Sequence, residues 1–173
     1  MHSFKQNIIP GSSISLEIEF LSTIKNIDMN IFLKSYKISN FWTGKFFIKR
    51  IIKKIFKYQL FNNMRWNNDF WNLITINLIS TNLKIDTSNL SLQLENFANK
   101  KRLKDIKKYQ KILFKKDMGN PLYITGKALN LIGANVKNDE IFILDGSRRI
   151  VANALNHLQP NILLIDSKER IIE

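Results

Sequence analysis

The sequence of 173 residues contains no cysteine, and this absence excludes several kinds of site at once. A disulfide scaffold, a zinc site with thiolate ligands and a cysteine nucleophile all require cysteine side chains. Hydrophobic residues make up 45% of the chain, which is enough to form a core without such cross-links. The composition therefore predicts one ordinary folded domain, or one compact domain with a smaller appendage.

Long hydrophobic runs are also missing from the chain. The longest apolar runs span four or five residues, whereas a transmembrane helix needs about 20. The first residues lack the charged segment, the long apolar core and the small-residue cleavage site of a secretory signal. We therefore expect a cytoplasmic protein without a transmembrane segment, and peripheral membrane contact stays open.

Acidic residues are scarce, since 14 Asp and Glu face 27 Lys and Arg, which gives a formal net charge of +13. A positive field of this size concentrates polyanions such as nucleic acids and anionic membranes near a protein surface. Most of the cations are lysines, in a chain that is also rich in Asn and Ile, and an AT-rich genome produces this composition whatever the function. The charge is thus either a binding surface or a solvated coat that keeps the protein soluble.

Residues 1–81 are predicted to form an α+β extension. Residues 14–20 alternate apolar and polar side chains as a half-buried strand does, and the apolar run at 73–79 favours a strand over a short helix. Between residues 45 and 61, isoleucines recur at helical spacing and lysines fill the other face, which predicts a basic amphipathic helix. Such a helix either lies against a membrane or nucleic acid, or packs on the core with its lysines in water.

Residues 82–173 are predicted to form a second, α/β domain. A short strand is expected at 83–86, a further strand after Pro121, and a buried strand at 162–165. Residues 102–116 place Leu, Ile and Tyr side chains on one helical stripe and lysines outside it, which predicts an amphipathic helix.

Between these elements the sequence predicts a strand, a tight turn and a helix. Residues 141–144 are all apolar, which is typical of a strand that is buried on both faces. The turn at 145–146 ends this strand, and a helical pattern follows from Ser147. In this helix we expect Ala152 to face inward and Asn153 to lie nearer the surface.

Two adjacent arginines at the start of this helix indicate an anion site. A helix N-terminus presents unpaired backbone N–H groups and the positive end of the helix dipole, so Arg148 and Arg149 would favour a phosphate there. Gly146 lets the backbone approach a ligand, and Ser147 is expected to cap the helix and reach a phosphate oxygen. Three interpretations stay open: a phosphate site, an internal salt bridge to Asp145 or another carboxylate, and a partner surface.

The segment from Leu144 to Ala152 resembles the strand–turn–helix motif of the ParB/sulfiredoxin superfamily. Gly146, Arg149 and Ala152 match the glycine, arginine and alanine of a Gly-x-x-Arg-x-x-Ala core that follows a hydrophobic strand. The resemblance covers residues 82–173, about half of the chain. It implies a ParB/sulfiredoxin-like α/β domain with a small mixed sheet and flanking helices.

In that superfamily the matching turn holds nucleotide phosphates: CTP in chromosome-partition proteins, ATP in sulfiredoxins and ADP in free-serine kinases. The resemblance implies that Gly146, Ser147, Arg148 and Arg149 contact the phosphates of such a nucleotide, with or without Mg²⁺. Sulfiredoxins have a cysteine where Ser147 stands, so their sulfinic acid reduction is excluded. Partition proteins continue into a second phosphate motif and a helix-turn-helix, whereas 24 residues follow Arg149 here.

A kinase that phosphorylates a small molecule also needs a carboxylate base for the acceptor hydroxyl. Glu95 lies in the stretch that corresponds to the base of the kinases, and its alternative is an ordinary surface glutamate. Asp145 is the other candidate, as a base or as the group that orients Arg149. His2 and His157 are isolated, so the sequence predicts no metal site made of protein side chains alone. Whether a reaction is catalysed stays open.

A different class of function follows from the basic helices. Those at 45–61 and 102–116 would supply a lysine surface for the DNA backbone, in a non-enzymatic, partition-like module. Such binding depends steeply on salt and little on base sequence. The oligomeric state is not indicated by the sequence.

Overall fold

The computed structural model describes residues 3–7, 15–28, 31–32, 70, 72–85 and 100–168. In the first half these residues form three strands: β1 (Ser3–Asn7), β2 (Ser15–Asn26) and β3 (Ile74–Ile85). In the second half, helices and strands alternate in the order α1 (Lys100–Leu113), β4 (Leu122–Thr125), α2 (Gly126–Asn130), β5 (Ile141–Asp145), α3 (Ser147–Leu155) and β6 (Asn161–Ser167).

The six strands of the described residues form one mixed sheet in the order β1-β2-β3-β6-β4-β5. β1 pairs antiparallel with β2, from Ser3 opposite Glu19 to Asn7 opposite Ser15. The strands after β3 are separated by helices, since α1 precedes β4, α2 precedes β5 and α3 precedes β6. The expected mixed α/β class is therefore confirmed, and a specifically ParB/sulfiredoxin-like topology stays a prediction.

The chain divides into two compact units, each assembled from three segments. The first consists of Met1–Ile24, Ile79–Leu122 and Asp145–Leu163, and its buried residues include Leu16, Ile18, Ile106, Ile150 and Ile162. The second consists of Lys25–Leu78, Tyr123–Leu144 and Leu164–Glu173, and its buried residues include Phe70, Ile74, Ile76, Ile124 and Leu129. The boundary expected between residues 81 and 82 stays a prediction.

The helices predicted at 102–116 and from Ser147 are confirmed as α1 and α3, which pack against each other. α1 buries Ile106, and its lysines stay exposed, whereas Arg102 and Asp105 are partly buried. α3 buries a continuous run of small and branched side chains, including Ala152 at 0% exposure. The amphipathic pattern of the two segments therefore predicted both helices correctly. It also predicted correctly that Ala152 lies on the buried side of α3.

The strands predicted at 73–79 and 83–86 are a single strand, β3. The polar residues 80–82 join them because the structure provides partners for polar side chains inside the sheet. Thr81 is 1% exposed, and its Oγ1 donates a hydrogen bond to the carbonyl oxygen of Pro160 at 2.6 Å. A buried hydroxyl with a partner of this kind does not interrupt a strand.

Two burial expectations are wrong. Residues 141–144 were expected to be buried on both faces, but β5 is the last strand in the sheet order and these four residues are only partly buried. Asn153 was expected near the surface, but it is 6% exposed and its Nδ2 donates to the carbonyl oxygen of Arg149 at 2.9 Å.

β2 confirms the strand predicted at 14–20 and extends it, while β1 and α2 were not anticipated.

Two of the expected features lie outside the described residues. They are the basic helix predicted at 45–61 and the candidate base Glu95. None of the described helices combines the length and the hydrophobicity that a bilayer-spanning helix requires.

Candidate functional site

The candidate site lies where β5 ends and α3 begins. Gly146 is the N-cap residue of α3 and has a left-handed backbone, with φ 88° and ψ 16°. A Cβ atom added at Gly146 would lie 2.9 Å from the Cα of Pro121, closer than such atoms approach. Position 146 therefore requires glycine for two reasons, the left-handed backbone conformation and the close contact with Pro121.

No side chain caps the start of α3, and no acidic residue occupies its first turn. The expectation that Ser147 caps the helix is wrong, because Gly146 occupies the N-cap position and Ser147 is the first helical residue. The first N–H groups of an α-helix have no acceptor within the helix, and they carry the positive end of its dipole. This start of α3 therefore favours an anion.

Arg149 is held by two partners within the chain. Its Nη1 donates to the carbonyl oxygen of Met118 at 2.6 Å, and its Nη2 donates to Oδ2 of Asp145 at 2.8 Å. The side chain of Arg149 is 16% exposed, whereas that of Asp145 is 57% exposed. The guanidinium of Arg149 thus connects the segment before β4 with the turn before α3 and holds these two segments close together.

Arg148 forms the second ion pair of the site. Its Nη1 lies 2.7 Å from Oδ2 of Asp105 on α1, with side-chain exposures of 41% and 27%. This bond connects the start of α3 to the middle of α1, in agreement with the packing of the two helices. Asp105 is the single acidic residue between positions 100 and 116, but only the packing of α1 on α3 brings it to Arg148.

A third arginine, Arg102 on α1, belongs to the same cluster. Burial lowers the pKa of Arg102, and the neighbouring positive charge of Arg148 lowers it further. The cluster therefore contains three guanidinium groups and the two carboxylates of Asp105 and Asp145.

Of the three interpretations open from the sequence, the structure contains the internal ion pairs. Both Arg148 and Arg149 have a carboxylate partner, and one of these is the expected Asp145. A phosphate at this site would therefore have to share or replace these partners. The structure brings together Gly146, Ser147, both arginines and Asp145, and it adds three partners that the sequence analysis missed: Asp105, Met118 and Pro121.

Within the part of the chain that the structure describes, no three His, Cys, Asp or Glu residues lie close enough to hold a metal ion. His157 lies just after the end of α3, is exposed and has a left-handed backbone with φ 54°. His157 follows the C-cap residue Asn156, at the end of α3 opposite to the two arginines.

Comparison with known proteins adds no relative, since no family model, curated protein or solved structure matches the chain. Membership of the ParB/sulfiredoxin superfamily thus rests on residues 144–152 and on the elements that flank them. It stays a prediction, as does the nucleotide that the resemblance implies.

Proposed function

We propose that the start of α3 binds the phosphate groups of a nucleotide such as ATP, ADP or CTP. The observation that carries the proposal is the uncapped helix start at Gly146, with two arginines and no acidic residue in its first turn. Free N–H groups and the helix dipole favour a bound phosphate. Guanidinium groups add charge-assisted, two-pronged hydrogen bonds to phosphate oxygens.

The two ion pairs of the site are open to competition from a ligand. Asp105 and Asp145 are 27% and 57% exposed, and ion pairs of this kind contribute only about 0–1 kcal/mol. Arg148 is more exposed than Arg149, so we assign Arg148 to the ligand. Arg149 would hold the turn in place through Met118, and its remaining N–H groups would be the donors left for the phosphate.

The proposal covers binding, and phosphotransfer to a small-molecule acceptor stays a hypothesis. Asp145 accepts a hydrogen bond from Arg149, so a role as base would require this carboxylate to leave the guanidinium. Glu95 lies outside the described residues. Mg²⁺, if required, would be held chiefly by the nucleotide phosphates, as is usual for this ion.

Thermal unfolding in the presence of ATP, ADP, CTP or GTP, with and without Mg²⁺, tests the proposal. A nucleotide that binds only the folded state, at a concentration of about 100 times its Kd, adds about 2.7 kcal/mol to the free energy of unfolding. For a chain of this length that corresponds to a rise in Tm of about 5–10 °C. If none of these nucleotides raises the Tm, the proposal is contradicted.

Variants of the two ion pairs assign the effect to the site. Arg148→Ala should abolish the rise in Tm, and the exposed Lys137→Ala should leave it unchanged as a control for charge. Asp105→Asn frees Arg148, and we expect it to tighten nucleotide binding about two- to fivefold, the equivalent of one exposed ion pair. Weaker nucleotide binding by Asp105→Asn would contradict the assignment of Arg148 to the ligand and would leave its ion pair with α1 as its role.

A further inference from the structure

Six exposed lysines lie on one side of α1, and we call this surface the lysine face. They border a groove of about 840 Å³ together with Leu103, Asp105 and Ile112, and they are Lys100, Lys101, Lys104, Lys107, Lys108 and Lys111. Asp105 borders the lysine face and also pairs with Arg148 at the start of α3.

Among the residues that the structure describes, no carboxylate pairs with the lysines of this face. Asp105 is the single acidic residue on α1, and it is engaged by Arg148. Between described residues the ion pairs involve Lys84, Arg148 and Arg149, and none of them includes a lysine of this face. A surface with this uncompensated positive charge attracts a polyanion.

The spacing of the lysines matches a linear array of phosphates. Lys100, Lys104 and Lys108 recur every four residues, and four residues of an α-helix rise about 6 Å along its axis. Successive phosphates of an extended nucleic acid strand repeat at a similar distance. Each lysine of such a row can therefore meet one phosphate of a strand that runs along α1.

An exposed aromatic ring lies at the end of this row. Phe114 follows α1 directly, is 72% exposed and stands between Lys111 and Lys115 in the sequence. Unpaired bases stack on exposed aromatic rings beside basic grooves, whereas the bases of a duplex are already stacked on each other. The ring therefore favours a single strand over a duplex.

A membrane surface fits these observations less well. A helix that lies in a membrane interface needs a broad apolar face that is free to enter the lipid. The apolar side of α1 packs on α3 and buries Ile106, so Phe114 would be left as an isolated anchor.

We propose that the lysine face binds the phosphate backbone of single-stranded nucleic acid and that Phe114 stacks on one of its bases. The proposal does not depend on a nucleotide at the start of α3. It requires the lysines for affinity at low salt and the ring for the preference between single strand and duplex.

Fluorescence anisotropy of a labelled, unstructured oligonucleotide of about 20 nucleotides tests the proposal over a series of salt concentrations. The slope of log K against log salt is about 0.7 per phosphate neutralised for single strands. The double variant Lys104→Gln/Lys108→Gln should therefore flatten the slope by about 1.4. The matched control Lys25→Gln/Lys137→Gln removes two exposed lysines elsewhere and should leave the slope nearly unchanged.

Replacing the exposed ring tests the choice of strand. Phe114→Ala should weaken single-strand binding about tenfold, within the usual range for one stacked base, and should leave weaker duplex binding unchanged. Equal loss of slope in both lysine variants would overturn the proposal, and so would tighter binding to a duplex or to anionic vesicles. The lysine and Phe114 variants should still be stabilised by a nucleotide, because this proposal does not depend on the site at the start of α3. A variant that loses oligonucleotide binding but keeps this stabilisation distinguishes the two proposals.

Discussion

The two cationic regions of the first unit differ in how their charges are held. At the start of α3, Arg148 and Arg149 each have a carboxylate within 2.8 Å, and Arg149 also donates to a carbonyl oxygen. On the lysine face, six lysines share the groove with one carboxylate, Asp105, which is paired with Arg148. The arginines are thus parts of the fold that can also serve a ligand, whereas the lysines contribute charge without a structural role.

This difference predicts which substitutions cost stability. Changes at the start of α3 should affect both folding and nucleotide binding, and changes on the lysine face should affect only the binding of polyanions.

Gly146→Ala should have the largest effect on stability. The left-handed backbone costs an alanine about 1–2 kcal/mol, and the contact with Pro121 forces a shift that costs about 1–3 kcal/mol more. We therefore expect unfolding by urea to show a loss of about 3 kcal/mol. The matched control is Gly119→Ala, where φ is 75°. An added Cβ there would lie at an ordinary 3.4 Å from its nearest neighbour, Nη1 of Arg149, so only the backbone cost applies.

An equal loss in both glycine variants would contradict the close packing of Gly146 on Pro121. Oligonucleotide binding by the folded fraction of Gly146→Ala should stay intact, because the lysine face is formed by α1 alone.

The two arginines should differ in what they contribute to folding. Arg149→Ala removes two hydrogen bonds of a mostly buried guanidinium, and we expect a loss of about 1.5–3 kcal/mol. Arg148→Ala breaks a more exposed ion pair, and the expected loss is about 0–1 kcal/mol. Urea unfolding of both variants measures this order, and a larger loss from Arg148→Ala would reverse the assigned roles.

Neutralising the lysine face should leave the stability unchanged or raise it slightly. Lys104 and Lys108 are four residues apart on α1, and like charges at this spacing destabilise a helix by about 0.2–0.5 kcal/mol. Lys104→Gln/Lys108→Gln should therefore unfold at an equal or slightly higher urea concentration than the original chain. A clear loss of stability would show that these lysines have a structural role after all.

The features that could be predicted from the sequence are those set by local pattern. α1, α3 and β6 follow from apolar residues at helical spacing or in a short continuous run, and these patterns need no knowledge of distant neighbours. The glycine and the two arginines of the candidate site were found in the same way, because they are adjacent in the sequence.

The features that were missed depend on contacts between distant parts of the chain. The continuity of β3 depends on Thr81 finding the carbonyl oxygen of Pro160, 79 residues away. The partial burial of β5 depends on its place at the end of the sheet order. The pairing of Arg148 with Asp105 depends on the packing of α1 on α3. Periodicity carries no information about any of these three.

The most direct test of the central claim is an NMR titration of the ¹⁵N-labelled protein with ADP, ATP or CTP. If a nucleotide binds at the start of α3, we expect saturable, one-to-one changes at the backbone amides of Ser147, Arg148 and Arg149 and at the Arg148 Nε, with little change along the lysine face. The absence of saturable changes at these positions for every nucleotide, or changes confined to the lysines of α1, would contradict the central claim.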